Sequence, residues 1–333
     1  MCIPASVPDE AAPGLLVVRL GAMGDVIHAL PAATSLKRSF PGLSLTWAVE
    51  AKWACLLAGN PYVDRVVVID RRSWRGIRSA WRGLRARPYA TAVDFQGLIK
   101  SALVASAARA SRLYGFHTSQ LREPAAGVFY SARVRTSSAH VVDQNLELAE
   151  AAGATCKLGL FPLPPGTPEG DLPAEEFVLA SPLAGWTAKQ WPLENYGMLA
   201  RLLREKLGWG LVLNGPPQAR TMLESVKGAW THVSSVPGLI DATRRAAAVV
   251  GIDSGPMHLA AALGKPGVAI FGPTDPVRNG PYGGTMKVLR GPKAATSYER
   301  RQEVDPAMRE IHPEAVFEAL RESIDSRRAA GSL

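Results

Sequence analysis

Asp253, Ser254, Gly255, His258 and Thr274, polar or small residues placed to converge on one phosphate-facing crevice, fall within residues 249–276 (VVGIDSGPMHLAAALGKPGVAIFGPTDP). The apolar run 247–252 has strand length, Asp253 stands at its end, and Ser254 is placed to cap a helix that Pro256 opens. Gly264 closes that helix, Lys265 and Pro266 turn the chain, and 267–271 reads as a second buried strand stopped by the loop Gly272, Pro273, Thr274, Asp275, Pro276. In such a right-handed strand–helix–strand unit, ligands sit beyond the carboxyl ends of the strands, where helix N–H groups carry partial positive charge. Gly255 permits close backbone approach and His258 reaches back from one turn into the helix. A capped helix with a buried histidine accounts for the same residues, so this stretch alone leaves a site and a plain packing unit both open.

A second element of this kind lies near the start. Residues 15–20 (LLVVRL) read as a buried strand, followed by Gly21, Ala22, Met23, Gly24 and Asp25 and a helical run through Leu36. The GxxGD spacing is not the dinucleotide fingerprint, which needs three glycines and a later acidic residue. Asp25 sits at the helix start beside Gly24, where a carboxylate either complements the helix dipole or does chemistry; the element favours neither.

These elements need a scaffold, and 333 residues suit two domains better than one core. With 47% of residues hydrophobic, both cores can be built. Cys2, Cys55 and Cys156 form no CxxC pair, which argues for a reducing, cytoplasmic setting and against structural zinc. No run reaches membrane-spanning length, and the opening MCIPASVPDEAAPG reads as a loose extension rather than a signal peptide. The formal net charge of +9 favours acidic partners, among them nucleic acid, anionic lipid surfaces and phosphorylated sugars.

Further strands are expected at 46–49, 63–69 and 92–95. Between the last two, residues 71–87 (RRSWRGIRSAWRGLRAR) hold seven arginines and no acidic residue. Arg71, Arg75, Arg78, Arg82 and Arg85 fall at helical spacing beside a stripe of Trp74, Ile77, Trp81 and Leu84. Two readings fit: tryptophans facing the core behind a solvated flank, or an arginine surface for phosphate and carboxylate with tryptophans at a membrane interface. Lys100 and Ser101 begin a helix after Asp94, Phe95, Gln96 and Gly97, and Arg122 stands in a later loop. Residues 162–173, rich in proline and glycine, are the expected linker. A second series follows, with strand 177–182, loop 183–192 (LAGWTAKQWP), helix 195–206, strand 211–213, strand 287–289 and a final amphipathic helix after His312.

With these blocks in place the chain resembles the bacterial lipopolysaccharide heptosyltransferases, glycosyltransferases whose best-known members use ADP-heptose, most of all their type I members. The resemblance spans almost the full length. It is carried by LGAMGDVIHALPA, DFQGLIKSALVA, REPAAGVFY, KQWP, GIDSGPMHLAAAL and FGPTDP. It implies an α/β fold of GT-B type, with two facing Rossmann-like domains of parallel sheets: 1–166 for the acceptor, 167–306 for the nucleotide-sugar, and a helix in 307–333 packing back toward the first domain. The implied reaction is inverting and metal-independent, moving heptose to the Kdo of a lipid A acceptor at the inner face of the cytoplasmic membrane, with no cofactor and no nucleic acid.

By the same resemblance Asp25 is the general base and Lys189 the catalytic donor-phosphate lysine. Gly24, Gly185, Thr187, Asp253, Ser254, Gly255, His258 and Thr274 complete the donor side, and Arg72, Arg75, Lys100 and Arg122 meet acidic acceptor groups. No DxD motif is present. Where relatives often carry threonine or serine before the donor lysine, this chain has Ala184 and Gly185. Where a glutamate is often found after the 211–213 strand, it has Pro217 and Gln218. A same-fold transferase with another donor or acceptor is the alternative, and an anionic-lipid or nucleic-acid binding protein with a vestigial sugar site is a further one. RNA binding calls for aromatic platforms on a basic sheet or groove, and no such pattern is present.

Overall fold

A computed structural model describes residues 13–297 and 301–331; Cys2 and nearly all of the opening extension lie outside them. The chain divides into two compact units, Met1–Pro164 and Pro165–Leu333.

The first unit contains β1 (Gly14–Val18), α1 (Met23–Ser39), β2 (Leu45–Glu50), β3 (Arg65–Ile69), α2 (Trp74–Leu84), β4 (Tyr89–Asp94), α3 (Ile99–Ala107), β5 (Arg112–Phe116), β6 (Ala132–Val134) and α4 (Val141–Ala151). Its strands are all parallel in the order β3-β2-β1-β4-β5-β6. β1 is buried at every residue, because helices cover both faces of a parallel sheet, and GLLVV accordingly reads as a continuous apolar run. The strand order reverses between β1 and β4, the place where α/β sheets of this kind bind ligands beyond their strand ends.

The second unit repeats the plan. Its elements are β7 (Phe177–Ser181), α5 (Leu193–Leu207), β8 (Gly210–Gly215), α6 (Arg220–Glu224), β9 (Trp230–Val233), α7 (Val236–Arg245), β10 (Ala248–Ile252), α8 (Gly255–Ala262), β11 (Gly267–Phe271), α9 (Pro276–Asn279), β12 (Met286–Arg290), α10 (Pro306–Arg309) and α11 (Pro313–Gly331). The order β12-β11-β10-β7-β8-β9 is that of the first sheet, with β7 and β10 flanking the reversal. Gly208, at φ 70°, ends α5 in the left-handed conformation that glycine adopts without penalty.

Three segments singled out in the sequence have defined surroundings. The apolar face of α11, Val316, Phe317, Leu320 and Ile324, is built into the core of the second unit, against residues such as Trp191 and Leu199. The second part of the proline-rich 162–173 segment is docked rather than free: Thr167 N–H donates to Pro237 O at 3.1 Å, and Glu169 accepts from Ser235 N–H at 2.6 Å. In α2 only Ala80 and Leu84 are buried, whereas Trp74 is 77% exposed, so the tryptophans do not face the core. No helix among the described residues is long and apolar enough to cross a membrane.

Candidate functional site

In the first unit the turn after β1 carries Arg19 and then Asp25 in the first turn of α1, with Gly24 buried beside it. The Asp25 carboxylate accepts from Ala22 N–H at 3.0 Å through Oδ2 and meets Arg19 Nη2 at 2.5 Å through Oδ1. Arg19 is nearly buried; its Nη1 donates to the carbonyl of Phe95, while Trp47 Nε1 donates to its carbonyl at 3.2 Å. The loops after β1 and β4 are further tied by Leu20 N–H on Gln96 Oε1 at 2.8 Å and Phe95 N–H on Val18 O at 3.1 Å. A fixed cation thus orients a carboxylate whose side chain is 43% exposed and whose remaining lone pairs can take a proton.

Beneath it, Asp94 closes β4 with no accessible surface. It accepts from Gln96 N–H at 2.9 Å, Ser101 Oγ at 2.8 Å, Tyr130 OH at 2.8 Å and Gly97 N–H at 3.4 Å. Burial raises its carboxyl above the ordinary value, and these hydrogen bonds offset only part of that shift. Asp94 therefore folds the DFQG turn and the start of α3.

The residues expected from the sequence to meet the acceptor do not form one group. Glu50, at the end of β2, lies 3.0 Å from Arg71 and 3.6 Å from Lys100. A cavity of about 430 Å³ is lined by Glu50, Lys52, Asp70, Arg71 and Arg72, among others. Asp70 shapes it: its carboxylate accepts from Arg72 N–H at 2.9 Å and from Ser73 Oγ at 2.9 Å, and these bonds hold it below the usual carboxylate range. Arg75, on α2, and Arg122, in the loop before Pro124, are exposed and do not line the cavity.

In the second unit the loop after β7 turns through Thr187–Lys189 and is anchored by Trp191, whose Nε1 donates to Ile311 O at 2.8 Å. The anchor points Lys189 across the reversal: its Nζ lies 2.5 Å from Asp253 Oδ2 and 4.4 Å from the centre of the Trp186 ring. His258 Nε2 lies 3.6 Å from Asp253 Oδ1. Burial by itself would raise the Asp253 carboxyl; the interactions with His258 and the Lys189 ammonium outweigh it and hold the group well below the carboxylate range.

Ser254 occupies the cap position of α8, yet its hydroxyl makes no capping bond, which corrects the sequence expectation. The buried hydroxyls of Ser254 and Thr274 find no hydrogen-bond partner among the described residues. Buried polar groups are normally paired, so two such hydroxyls beside a lysine and a helix start suit an anionic ligand with acceptor oxygens. Gly185 is exposed, and a Cβ placed there would meet nothing within 4 Å. Lys189, Asp253 and His258 are thus brought together, while Gly185 and Thr187 share the loop that carries the lysine.

Sequence reasoning passed over four contributors. Arg19 was only the last-but-one residue of an apolar run, and Glu50, Asp94 and Trp186 ended strands or filled loops. Their one shared signal is a polar or aromatic side chain at the carboxyl end of a strand or in the loop that follows it. Among the described residues no group of three or more His, Cys, Asp or Glu side chains is arranged to hold a metal ion.

The model of glycosyltransferase family 9 (heptosyltransferase) matches residues 77–307. Lipopolysaccharide heptosyltransferase 1 of Escherichia coli strain K12 is 31% identical over 312 residues, covering 84% of this chain and 94% of that protein. The protein of the same name from Pseudomonas aeruginosa is 31% identical over 295 residues, covering 81% of each. The solved structure of E. coli heptosyltransferase WaaC with ADP superposes with a TM-score of 0.75 at 27% identity, covering 93% of this chain and 99% of that one. Paired Rossmann-like sheets, a lysine and an aspartate meeting at a strand-order reversal, and sequence similarity through both units lead to one conclusion: the chain belongs to glycosyltransferase family 9, the heptosyltransferases.

Proposed function

We propose that this enzyme moves heptose from ADP-heptose to the Kdo of an inner-core lipopolysaccharide acceptor, with inversion and without a metal, at the cytoplasmic face of the inner membrane. The observation that carries the donor half is the 2.5 Å contact between Lys189 and Asp253 beside two unpartnered hydroxyls. One N–H of the Lys189 ammonium is engaged by Asp253, leaving others for diphosphate oxygens. With the first N–H groups of α8 they stabilise the charge that grows on the leaving diphosphate.

On the acceptor side, Asp25 takes the proton of the attacking hydroxyl while that oxygen bonds to the anomeric carbon and the bond from this carbon to the ADP oxygen breaks. The proton ends on Asp25, the electron pair on ADP. Arg19 acts as a positioning residue, setting the rotamer in which Asp25 meets the acceptor. The cationic cavity at Arg71 and Arg72, with Lys100 close by on Glu50, takes acidic acceptor groups, and Arg75 and Arg122 extend that charge. In this reading the first unit serves the acceptor and the second the nucleotide-sugar.

Calorimetric titration with a panel of nucleotide-sugars tests this reading. ADP-heptose is expected to bind at least tenfold more tightly than uridine or guanosine diphosphate sugars, a difference of about 1.4 kcal/mol. A panel member of another nucleotide that binds as tightly would replace the donor assignment, which Ala184 and Gly185 make the part most open to change.

A further inference from the structure

Helix α2 presents three faces rather than the usual two. At 3.6 residues per turn, Ala80 and Leu84 lie on the side that enters the core, and Gly83 lets the helix settle against Val67, whose Cγ1 would stand 3.1 Å from a Cβ at that glycine. The next sector, spanning about 60°, holds Ile77, Trp81 and Trp74. These are 44%, 46% and 77% exposed. Beyond them, in about another 60°, come Arg78, Arg82 and Arg75, all exposed and none in a salt bridge among the described residues. The C-terminal end of α2 is tied to the end of α3 through Arg85 Nε, which donates to Ala107 O at 3.1 Å.

From this arrangement we infer that α2 is an interfacial anchor: Trp74, Ile77 and Trp81 enter the headgroup region of an anionic phospholipid bilayer while Arg78 and Arg82 pair with its phosphates. A large indole exposed this far on a folded domain loses apolar area to water without return unless something covers it. Tryptophan is suited to the boundary of headgroup and acyl chain, and a guanidinium beside it meets lipid phosphate bidentately. No acidic residue interrupts residues 71–87, so the charge matches a negative surface along the whole helix. Nucleic acid would use the arginines but leave the apolar sector of Trp74, Ile77 and Trp81 in water. The inference deepens the proposed reaction, whose acceptor is carried by a lipid, by naming the segment that meets the membrane.

The test is sedimentation of the full chain with vesicles of phosphatidylglycerol in phosphatidylcholine and with phosphatidylcholine alone, alongside turnover on a soluble, deacylated acceptor. The wild-type protein is expected to partition onto the anionic vesicles and to show tryptophan quenching by lipids brominated in the acyl chain. W74S/W81S should lower partition on the order of tenfold and remove much of the quenching. R78Q/R82Q should lower it roughly thirtyfold at low salt and flatten its salt dependence. Both variants change exposed residues, and both should turn over the soluble acceptor like wild type; that arm reports on the reaction, the vesicle arm on the anchor. Equal binding to neutral vesicles, undiminished partition of W74S/W81S, or a preference for a duplex oligonucleotide over anionic vesicles would each overturn the proposal.

Discussion

Asp94 and Asp253 occupy matching places in the two units, each at the carboxyl end of the fourth strand where the strand order reverses, yet they are electrostatic opposites. Asp94 is sealed among neutral donors and its carboxyl is raised by burial. Asp253 is almost as buried, but the loop after the first strand of its sheet delivers the Lys189 ammonium to it and its carboxyl is lowered. In the first unit the corresponding loop sends its cation, Arg19, to Asp25 and the Phe95 carbonyl instead. The same fold position therefore holds a sealed carboxyl or an ion-paired one according to where one neighbouring loop places its positive charge.

The comparison breaks most easily at Asp25. Asp25→Asn keeps an acceptor toward Arg19 but removes the proposed base, and kcat should fall by roughly 10²–10⁴-fold with donor affinity unchanged, measured by steady-state kinetics and calorimetry. Retained turnover would move the reactive carboxylate elsewhere in the first unit.

Lys189→Ala removes the cation that distinguishes the second carboxyl from the first. Turnover with the donor should drop roughly 10²–10³-fold, and ADP should bind more weakly in proportion. Unchanged ADP affinity would mean that Lys189 serves Asp253 only as a structural counter-ion.

The two aspartates should also report opposite pH behaviour. Asp253 has a depressed folded value, so its contribution is complete above the unfolded value of 3.8 and lost as pH falls through the folded one. Asp94 has a raised folded value, so its contribution is complete below 3.8 and declines as pH rises through the folded one. Denaturant melts of Asp253→Asn and Asp94→Asn against wild type should each show about 1–3 kcal/mol of loss near the favourable pH, narrowing in opposite directions. Only Asp253→Asn should also weaken ADP binding.

The smallest effect is expected at Gly185, where a side chain meets open space. Gly185→Thr should melt within about 0.5 kcal/mol of wild type and lower the donor KM about fivefold if the new hydroxyl reaches the phosphate. A raised KM would show that the donor path crosses this position.

Central strands such as GLLVV, FVLAS and GVAIF were legible because a parallel sheet buries both faces and leaves an unbroken apolar run. The outer ones, RLYGF, ARV and WTHV, were not singled out; near a sheet edge the burial pattern is partial and the runs are short and mixed. Lys189, Asp253 and His258 stood out as motif members, but their meeting across β7 and β10 depends on Trp191 fixing the loop, a contact 120 residues distant in sequence. The Trp74 stripe was left open between two readings for a related reason: period marks an apolar face, and only the packing of Ala80 and Leu84 decides which side of it enters the core.

By itself the sequence determined two alternating α/β halves and a helix start at Ser254, since these follow from local pattern, while the roles proposed for Asp25 and Lys189 came from the resemblance to a family. Tertiary structure decided that Arg19 holds Asp25, that Asp94 is sealed while Asp253 is paired, and that two tryptophans of α2 face outward. Each depends on which distant groups share a small volume, and that is fixed by packing and by the low tolerance of buried charge for a missing partner.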